Sequence, residues 1–369
     1  MPLGPPDPNR VVYNSFNGRF SDNPRAIYEE LCRRTPNLEH IWTIKDETAA
    51  EFPEGITAVV PGTPEHAREV ERAKYVVSNV EMRENLDKRP GVVFLQTWHG
   101  TPLKRIGYDN RYVVANPAGF ERDAREYVRW DYLISPNAFS SEIFGRAFRG
   151  FDGEVIETGW PRNDALNAAD RRQVRERVRA GLGLGDDQTV VLYAPTWRDN
   201  LVHEQGPAEA FSLALDLGEI ARRFGDDHAL LLRVHFLVGA QLADAAGPSV
   251  VNVSAYPEVR ELYLAADVLI TDYSSVMFDF AVTGKPMIFY VYDLEHYRDQ
   301  LRGFYFDFEA EAPGPLCRTS DEVSEALEDL ETISATHADR YRAFTDTYCY
   351  LDDGRAAARV VDHVFEELR

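Results

Sequence analysis

The stretch VLITDYSSVMFDFAVTGKP, residues 268–286, predicts the fold of this chain. Four apolar residues open it as a strand without polar alternation, a polar turn follows at 272–275, and we expect a short helix over 275–283. A strand that is apolar on both faces is typical of a parallel sheet covered by helices on both sides. The stretch therefore indicates an α/β unit with a polar turn at the carboxyl end of a parallel strand.

The other half of the chain repeats this order of elements. YLISPNAFSSEIFGRAF (132–148) runs from an apolar strand through a polar turn with paired serines into a helix. Further buried strands are predicted at 92–98, 190–194, 229–234, 250–253 and 287–291, with amphipathic stretches between them. The alternation predicts an α/β protein built from two Rossmann-like domains with parallel sheets.

The domain boundary is expected near residues 167–187, where a charged helix precedes glycine-rich turns. We predict an N-terminal domain over 1–180, a C-terminal domain over 181–350, and a final helix over 351–369 that crosses back to the N-terminal domain. The boundary helix carries a cluster of arginines that either faces an anionic bilayer or polymer, or is the solvated face of a linker: Arg171, Arg172, Arg175, Arg177 and Arg179.

Composition excludes several classes of protein. The formal net charge of −21 over 369 residues argues against a nucleic-acid binder, which needs a basic face. Three scattered cysteines fit reduced thiols, and no spacing indicates a metal site. The N-terminus lacks the apolar core of a signal peptide, and no apolar stretch reaches the roughly 20 residues of a spanning helix. We expect a cytoplasmic protein whose contact with a membrane is at most peripheral.

Two strand ends in the C-terminal half carry groups suited to anions. After the strand at 268–271, Asp272, Ser274 and Ser275 precede a helix whose free N–H groups could bind a phosphate, although a serine there could equally cap the helix. The strand ALLLRVHF (229–236) ends in Arg233 and His235, which alternation places on one face. The alternative for His235 is a half-buried structural histidine.

The strand VVLYA (190–194) leads into a loop with a flat aromatic residue among polar groups. Its residues Pro195, Thr196, Trp197 and Arg198 could flank a nucleobase. The alternative is a surface aromatic held by an arginine–aspartate pair.

The fourth strand end is VVFLQTWHGTPLKR (92–105). Gly100 allows a sharp turn, Pro102 can begin a helix, and Lys104 would then lie one turn into it. His99 is a candidate general base, which nearby cations would keep unprotonated. The alternative is a turn histidine beside a solvated Lys–Arg pair. Four such strand ends, divided between two halves, are expected of a cleft that the two sheets face.

Several long motifs, in the family's order along the chain, resemble the CDP-glycerol:poly(glycerophosphate) glycerophosphotransferase family of teichoic acid and capsule enzymes. The resemblance extends over about residues 10–350, and the motifs that carry it are SFNGRFSDNPRAIYEEL (15–31), QTWHGTPLKRIGYD (96–109), YLISPNAFSSEIFGRAF (132–148), VIETGWPRNDAL (155–166), VLYAPTWRD (191–199), LLRVH (231–235) and DVLITDYSSVMFDFAVTGKPMIFYVYDLEHY (267–297).

The resemblance implies a GT-B fold and a reaction. The N-terminal domain would lie on the acceptor side and the C-terminal domain would bind CDP-glycerol or a related CDP-polyol. A polyol phosphate would pass to a hydroxyl of an anionic polyol-phosphate or lipid-linked glycan acceptor, with release of CMP and without a cofactor or tightly held metal.

It also implies roles for individual residues. His99 would be the general base, and His235 would bind the donor phosphates or stabilise the departing CMP. Ser274 and Ser275 would lie at the pyrophosphate, and Asp279 would contact the cytidine or ribose together with residues 195–198.

Two other functions remain open from the sequence. One is another GT-B enzyme that uses a nucleotide-sugar, such as a glycosyltransferase or a UDP-sugar 2-epimerase. The other is a non-catalytic module that binds a nucleotide or polymer. The stretch WHGTPLK favours the phosphotransferase, and the joint presence of His99, His235, Ser274 and Ser275 argues against a module without activity.

Overall fold

The computed structural model describes residues 4–82, 88–110, 117–196, 213–234 and 250–368. The chain divides into two compact units. Unit 1 comprises Met1–Thr101, Ile106–Asn167 and Tyr350–Arg369, and unit 2 comprises Pro102–Arg105 and Ala168–Cys349. Each unit contains one parallel sheet with helices, which confirms the predicted α/β class.

Unit 1 alternates strands and helices along most of its length. Its elements up to residue 157 are β1 (Asp7–Asn14), α1 (Asp22–Arg34), β2 (Glu39–Thr43), β3 (Thr57–Val59), α2 (Pro64–Arg72), β4 (Ala73–Ser78), β5 (Val93–Gln96), α3 (Pro117–Tyr127), β6 (Tyr132–Ser135), α4 (Ala138–Ala147) and β7 (Glu154–Glu157).

The sheet of unit 1 has the strand order β3-β2-β1-β4-β5-β6-β7 among the described residues. Val12 on β1 pairs with Ile41 on one side and with Val76 on the other, both in parallel register. The side chains of these central strands are buried on both faces, as their continuous apolar runs require. Because the order reverses between β1 and β4, the carboxyl ends of these two strands mark the usual ligand position of a doubly wound sheet.

Unit 2 repeats the architecture. Its elements are α5 (Arg171–Gly181), β8 (Thr189–Tyr193), α6 (Leu217–Phe224), β9 (His228–Leu232), β10 (Val250–Asn252), α7 (Val259–Ala265), β11 (Val268–Thr271), α8 (Val276–Ala281), β12 (Met287–Tyr290), α9 (Leu294–His296), α10 (Phe308–Glu311), β13 (Leu316–Cys317), α11 (Ser320–Glu328) and α12 (Leu330–Tyr348).

The described strands of unit 2 follow the order β10-β9-β8-β11-β12-β13, again in parallel. Val191 on β8 pairs with Leu230 on β9 and with Val268 on β11. The strand order therefore reverses between β8 and β11. The stretch at 268–286 supplies one of the two strands that flank this point, where a ligand is expected.

The last helix, α13 (Ala356–Val364), belongs to unit 1. Val360 and Val364 are buried in the core of that unit, and Phe365 packs on Tyr75 with ring centroids 4.5 Å apart. The first turn of the helix is capped by Asp164, whose two carboxylate oxygens accept from the N–H groups of residues 356 and 357 at 2.9 and 2.8 Å.

The segment Pro102–Arg105 is not helical, contrary to the expectation from its Thr-Pro start. Leu103 is buried in unit 2, and Lys104 forms an antiparallel β-bridge with Phe304. The N–H of Arg105 donates to the carbonyl of Gly303 at 3.2 Å, on the same stretch of backbone. A helix would give up this pairing, so an extended conformation is favoured. We call residues 102–105 the strap.

The arginine-rich helix α5 is not a solvated linker. Arg175 donates to the carbonyls of residues 264 to 266 at the end of α7, and Arg179 is buried and donates to the carbonyl of residue 265. Both also pair with Asp267. Arg171, Arg172 and Arg177 are exposed, so three of the five predicted arginines face solvent and two hold α7. Cations at a helix C-terminus satisfy its unpaired carbonyls, which explains why α5 packs on α7.

Candidate active site

His99 follows β5 in unit 1 and is half-buried. Its Nδ1 lies 2.7 Å from the carbonyl oxygen of Asn79. Because a carbonyl only accepts, Nδ1 carries the proton of the neutral ring and Nε2 carries the lone pair. The ring is thus set to receive a proton at Nε2, and the carbonyl would stabilise the imidazolium that forms.

Two aromatic rings fix the plane of this imidazole. Trp98 stacks on His99 with ring centroids 4.5 Å apart and planes 26° apart, and Phe16 lies 5.8 Å away. Trp98 has a left-handed backbone (φ +50°), so the strained residue of the turn is the tryptophan and not Gly100. A bulky side chain in this conformation needs strong local contacts to hold it.

Asn79 connects His99 to the point where the strand order of unit 1 reverses. It directly follows β4, and its side chain accepts from the N–H of Phe16 at 2.9 Å and donates to Ser15 at 3.3 Å. Both partners lie in the loop after β1. The position of the His99 ring therefore depends, through Asn79, on the carboxyl ends of β1 and β4. A doubly wound sheet usually binds its ligand at these two strand ends.

In unit 2 the structure brings the predicted residues after β8 and β11 together. The N–H of Thr196 donates to Oδ1 of Asp272 at 2.8 Å, and Thr271 donates to the carbonyl of Ala194 at 2.7 Å. Pro195 lies between these contacts. The predicted nucleotide-binding residues 195, 196 and 272 therefore share the point where the strand order of this sheet reverses.

Ser274 and Ser275 lie in the same turn, half-exposed, just before α8. This helix covers residues 276–281, shorter than the predicted 275–283. Ser275 occupies the N-cap position without a side-chain cap hydrogen bond, and Oγ of Ser274 is 3.5 Å from the N–H of Val276. Ser275 therefore does not cap the helix through its side chain, whereas capping by Ser274, whose Oγ accepts from the N–H of Val276, remains the alternative.

Arg233 follows β9, as predicted. Its guanidinium donates to the carbonyls of Val253 and Tyr256 at 3.2 and 2.8 Å, so it holds the loop after β10. Asp279 is buried within α8 at 3% exposure. Lys104 lies in the strap of unit 2. The remaining predicted site residues, His235, Trp197 and Arg198, lie outside the described residues.

The sequence reasoning did not identify Asn79, Asp22 or Arg162 near His99. Asn79 acts on the imidazole through its backbone carbonyl, which any residue could provide, so its identity carries no signal. Asp22 and Arg162 lie in the motifs SDNPR and GWPRND, which carry part of the family resemblance. The two residues are 140 positions apart, so their contact cannot be predicted from sequence spacing.

Two other kinds of feature are absent from the described ranges. No group of three or more His, Cys, Asp or Glu side chains is arranged to hold a metal ion in that part of the chain. No helix formed by those residues is both long and apolar enough to cross a bilayer.

Comparison with known proteins identifies the family. The family model described as CDP-Glycerol:Poly(glycerophosphate) glycerophosphotransferase matches residues 3–366. The teichoic acid poly(glycerol phosphate) polymerase of Bacillus subtilis (strain 168) is 40% identical over 96% of this chain, and that of Staphylococcus epidermidis is 36% identical over 98%. The chain spans about half the length of these two relatives, 48% and 51%.

A third relative matches over nearly its whole length. The teichoic acid glycerol-phosphate transferase of Staphylococcus aureus (strain NCTC 8325 / PS 47) is 36% identical, and the match covers 98% of this chain and 94% of the relative.

Solved structures agree with the sequence comparison. The wall teichoic acid polymerase TagF superposes with a TM-score of 0.90 at 36% identity, over 98% of this chain and 90% of that one. A UDP-GlcNAc 2-epimerase of Methanocaldococcus jannaschii superposes with a TM-score of 0.56 at 12% identity, which reflects a shared fold alone. Together these structures confirm the predicted GT-B-like fold. The chain belongs to the CDP-glycerol:poly(glycerophosphate) glycerophosphotransferase family.

Proposed function

We propose that this chain transfers a polyol phosphate, most readily glycerol phosphate, from a CDP-activated donor to a hydroxyl of a teichoic-acid- or capsule-like acceptor and releases CMP. The names of its relatives, polymerases and transferases of glycerol phosphate, support this reaction. A variant of TagF that superposes with a TM-score of 0.90 was soaked with CDPG, which supports a CDP-linked donor.

His99 is the general base of the proposed reaction. The acceptor hydroxyl gives its proton to Nε2 while its oxygen attacks the phosphorus of the polyol phosphate, and the bond from that phosphorus to CMP breaks. The hydrogen bond from Nδ1 to the carbonyl of Asn79 is the observation that carries this role, because it leaves Nε2 as the basic nitrogen.

The donor binds in unit 2 at the turn after β11. Ser274, Ser275 and the N–H groups around them bind the pyrophosphate, and residues 195–198 with Asp272 and Asp279 contact the nucleotide. The coupling of Thr196 to Asp272 supports this location, since it joins the two strand ends that flank a nucleotide in sheets of this order. Arg233, His235 and Lys104 neutralise phosphate charge during transfer.

The acceptor is an anionic polyol-phosphate chain or a lipid-linked glycan, and contact with the membrane surface is peripheral. The reaction needs no cofactor. We expect CMP release after dialysis against EDTA to stay within about twofold of the untreated rate; abolition by EDTA and recovery with a divalent ion would contradict this part of the proposal.

The donor is tested by calorimetry with CDP-glycerol, CDP-ribitol, UDP-sugars and CMP, followed by mass analysis of the product formed on a glycerol-phosphate acceptor. We expect CDP-glycerol to bind and the acceptor to grow by glycerol phosphate units. Tight binding of a UDP-sugar, with no binding of either CDP-polyol, would overturn the proposal in favour of a nucleotide-sugar enzyme.

The role of the base is tested by His99→Ala. General base catalysis is worth about 10² to 10⁴ in rate, so we expect at least a hundredfold loss of CMP release at unchanged melting temperature. His337→Ala is the matched control, because His337 is also half-buried with Nδ1 3.0 Å from a backbone carbonyl, on α12. A loss of tenfold or less for His99→Ala would reject the base.

A further inference from the structure

We propose that Asp22 and Arg162 are positioning residues: as a buried ion pair they hold the backbone of residues 97–99 so that His99 keeps its productive tautomer and orientation. The inference rests on the proposed role of His99 as a base. It assigns a structural role to the motifs SDNPR and GWPRND, whose residues take no other part in the proposed reaction.

The ion pair contacts the histidine directly through the main chain. Nη1 of Arg162 donates to Oδ2 of Asp22 at 2.8 Å and to the carbonyl oxygen of His99 at 2.9 Å. The two charged side chains are 4% and 6% exposed. A charge pair removed from water to this extent keeps a fixed geometry, because separating the partners would leave a buried charge uncompensated.

Asn23 also restrains the two residues that precede His99. Its Nδ2 donates to the carbonyls of Trp98 and Thr97 at 3.2 and 3.4 Å, and its Oδ1 accepts from the N–H of Arg162 at 3.1 Å. Three consecutive carbonyls, from residue 97 to residue 99, therefore accept hydrogen bonds from one buried cluster. Such a pattern restrains the main chain of the turn more tightly than one contact could.

The restraint acts on strained backbone. Asp22 and Trp98 both have left-handed conformations, with φ of +64° and +50°. Such a conformation is unfavourable for a residue with a side chain and persists only where its surroundings impose it. Without the cluster, we expect Trp98 to relax to a negative φ, which would carry the imidazole of His99 away from the carbonyl of Asn79.

The ring of His99 would then lose its fixed tautomer. In the folded protein the proton is on Nδ1, and a solvated imidazole exchanges between both nitrogens. A population with the proton on Nε2 cannot accept one there. A role limited to stability would instead lower the melting temperature and leave the histidine of the remaining folded molecules unchanged.

The test compares Arg162→Met with Arg129→Met. Arg129 is a close match, since its Nη1 donates to a carboxylate oxygen of Glu126 at 2.7 Å and to the carbonyl of Met82 at 3.2 Å, also in unit 1. The ¹⁵N spectrum of histidine-labelled protein reports the tautomer of His99, assigned by its loss in His99→Gln. The second readout is the rate of CMP release.

For Arg162→Met we expect Nε2-protonated His99 to appear and kcat to fall about ten- to a hundredfold, with KM for CDP-glycerol within about threefold. Arg129→Met should keep the wild-type tautomer and kcat. Asp22→Asn, which keeps the size of the side chain and is expected to fold, should shift both readouts in the same direction. Arg162→Lys should recover part of the rate.

An unchanged tautomer and kcat in folded Arg162→Met or Asp22→Asn would overturn the inference, as would equal effects from Arg129→Met. The two proposals fail separately. If His99→Ala retained its turnover, the base would be rejected, and a changed tautomer in Arg162→Met would still support the positioning of the ring.

Discussion

Unusual backbone conformations concentrate around one residue, His99. Among the described residues, the non-glycine positions with positive φ are Phe16, Asn17, Asp22 and Trp98. Two lie in the loop after β1, one begins α1, and one precedes the histidine. Strained positions cluster at functional sites because only a rigid surrounding structure can maintain them. Their distribution supports the proposed role of His99 independently of any comparison with relatives.

Sequence reasoning predicted a role for His99 but not the contacts that hold it. A histidine at the end of an apolar strand can be recognised from the sequence alone. The carbonyl of Asn79, the ion pair of Asp22 and Arg162 and the left-handed Trp98 depend on contacts between distant parts of the chain, for which a single sequence holds no periodic signal.

A residue-scale prediction concerns Gly159 in the GWPRND motif. Its φ is +81°, and a Cβ there would lie 2.5 Å from the carbonyl oxygen of Leu351. Gly62 has a nearly equal φ of +76° but no atom within 4 Å of its Cβ position. We expect Gly62→Ala to lower the free energy of unfolding by about 1 kcal/mol and Gly159→Ala by at least about 2 kcal/mol more, in urea denaturation. Equal losses would mean that the chain near residue 351 adjusts freely.

At the scale of single elements, the apolar runs predicted strands well. The bounds of 132–135 and 268–271 are correct to the residue, and the other predicted strands agree with β5, β8, β9, β10 and β12 within two residues at each end. Six described strands were not predicted: β1, β2, β3, β4, β7 and β13. β3 and β13 are three and two residues long, too short for periodicity to be recognised, but length does not explain the miss of β1 and β4, which have eight and six residues. The helix predicted to begin at Pro102 was wrong, because Thr-Pro is only a local signal for a helix start. Pairing of the strap with residues 303–305 outweighs that signal.

An element-scale prediction concerns the cap of α13. Burial raises the pKa of Asp164 to about 6 from an ordinary value of 3.8. Between about pH 4 and pH 6 the folded chain then holds a proton that the unfolded chain has lost. The contribution of Asp164 to stability therefore falls as pH rises through this window. We expect the difference in unfolding free energy between wild type and Asp164→Asn to decrease from pH 4 to pH 6 and to be constant above it.

Asp329 provides the contrast for this measurement. It caps α12 from an exposed position, and its hydrogen bonds with Thr332 lower its pKa. Its contribution is lost as pH falls, so Asp329→Asn should give a pH dependence of opposite sign. If Asp164→Asn gave the same sign as Asp329→Asn, the helix N-terminus would outweigh burial at residue 164.

At the scale of the whole molecule, the two halves were predicted from a repeated order of strand, polar turn and helix. Both described sheets have a strand order that reverses beside the first strand of the unit. Pro195 and Asp272 follow the two strands at this point of unit 2, whereas His99 follows β5, the neighbour of β4. The sequence predicted a single domain boundary near residues 167–187 and did not predict that residues 102–105 belong to unit 2. Four residues are too few to change the local composition of the chain.

A whole-molecule prediction follows from the formal net charge of −21. Repulsion among the excess carboxylates destabilises the compact state, and salt screens it. We expect the melting temperature at pH 7.5 to rise by a few degrees between 20 and 200 mM NaCl. The control is the same series near the isoelectric point of about 4.9, where the effect should vanish. A lower melting temperature in salt at pH 7.5 would mean that attractive ion pairs outweigh the repulsion.

The strap has a consequence for recombining this protein with its relatives. The chain leaves unit 1 after Thr101, supplies residues 102–105 to unit 2, and re-enters unit 1 at residue 106. It passes into unit 2 again at residue 168 and ends in unit 1 from residue 350 onward. A single crossover near residue 167 would therefore give a chimera whose second unit packs against a foreign Leu103 and whose first unit lacks its own final helix. Functional chimeras should instead arise when residues 102–105 and 168–349 are inherited from one parent and the remainder from the other.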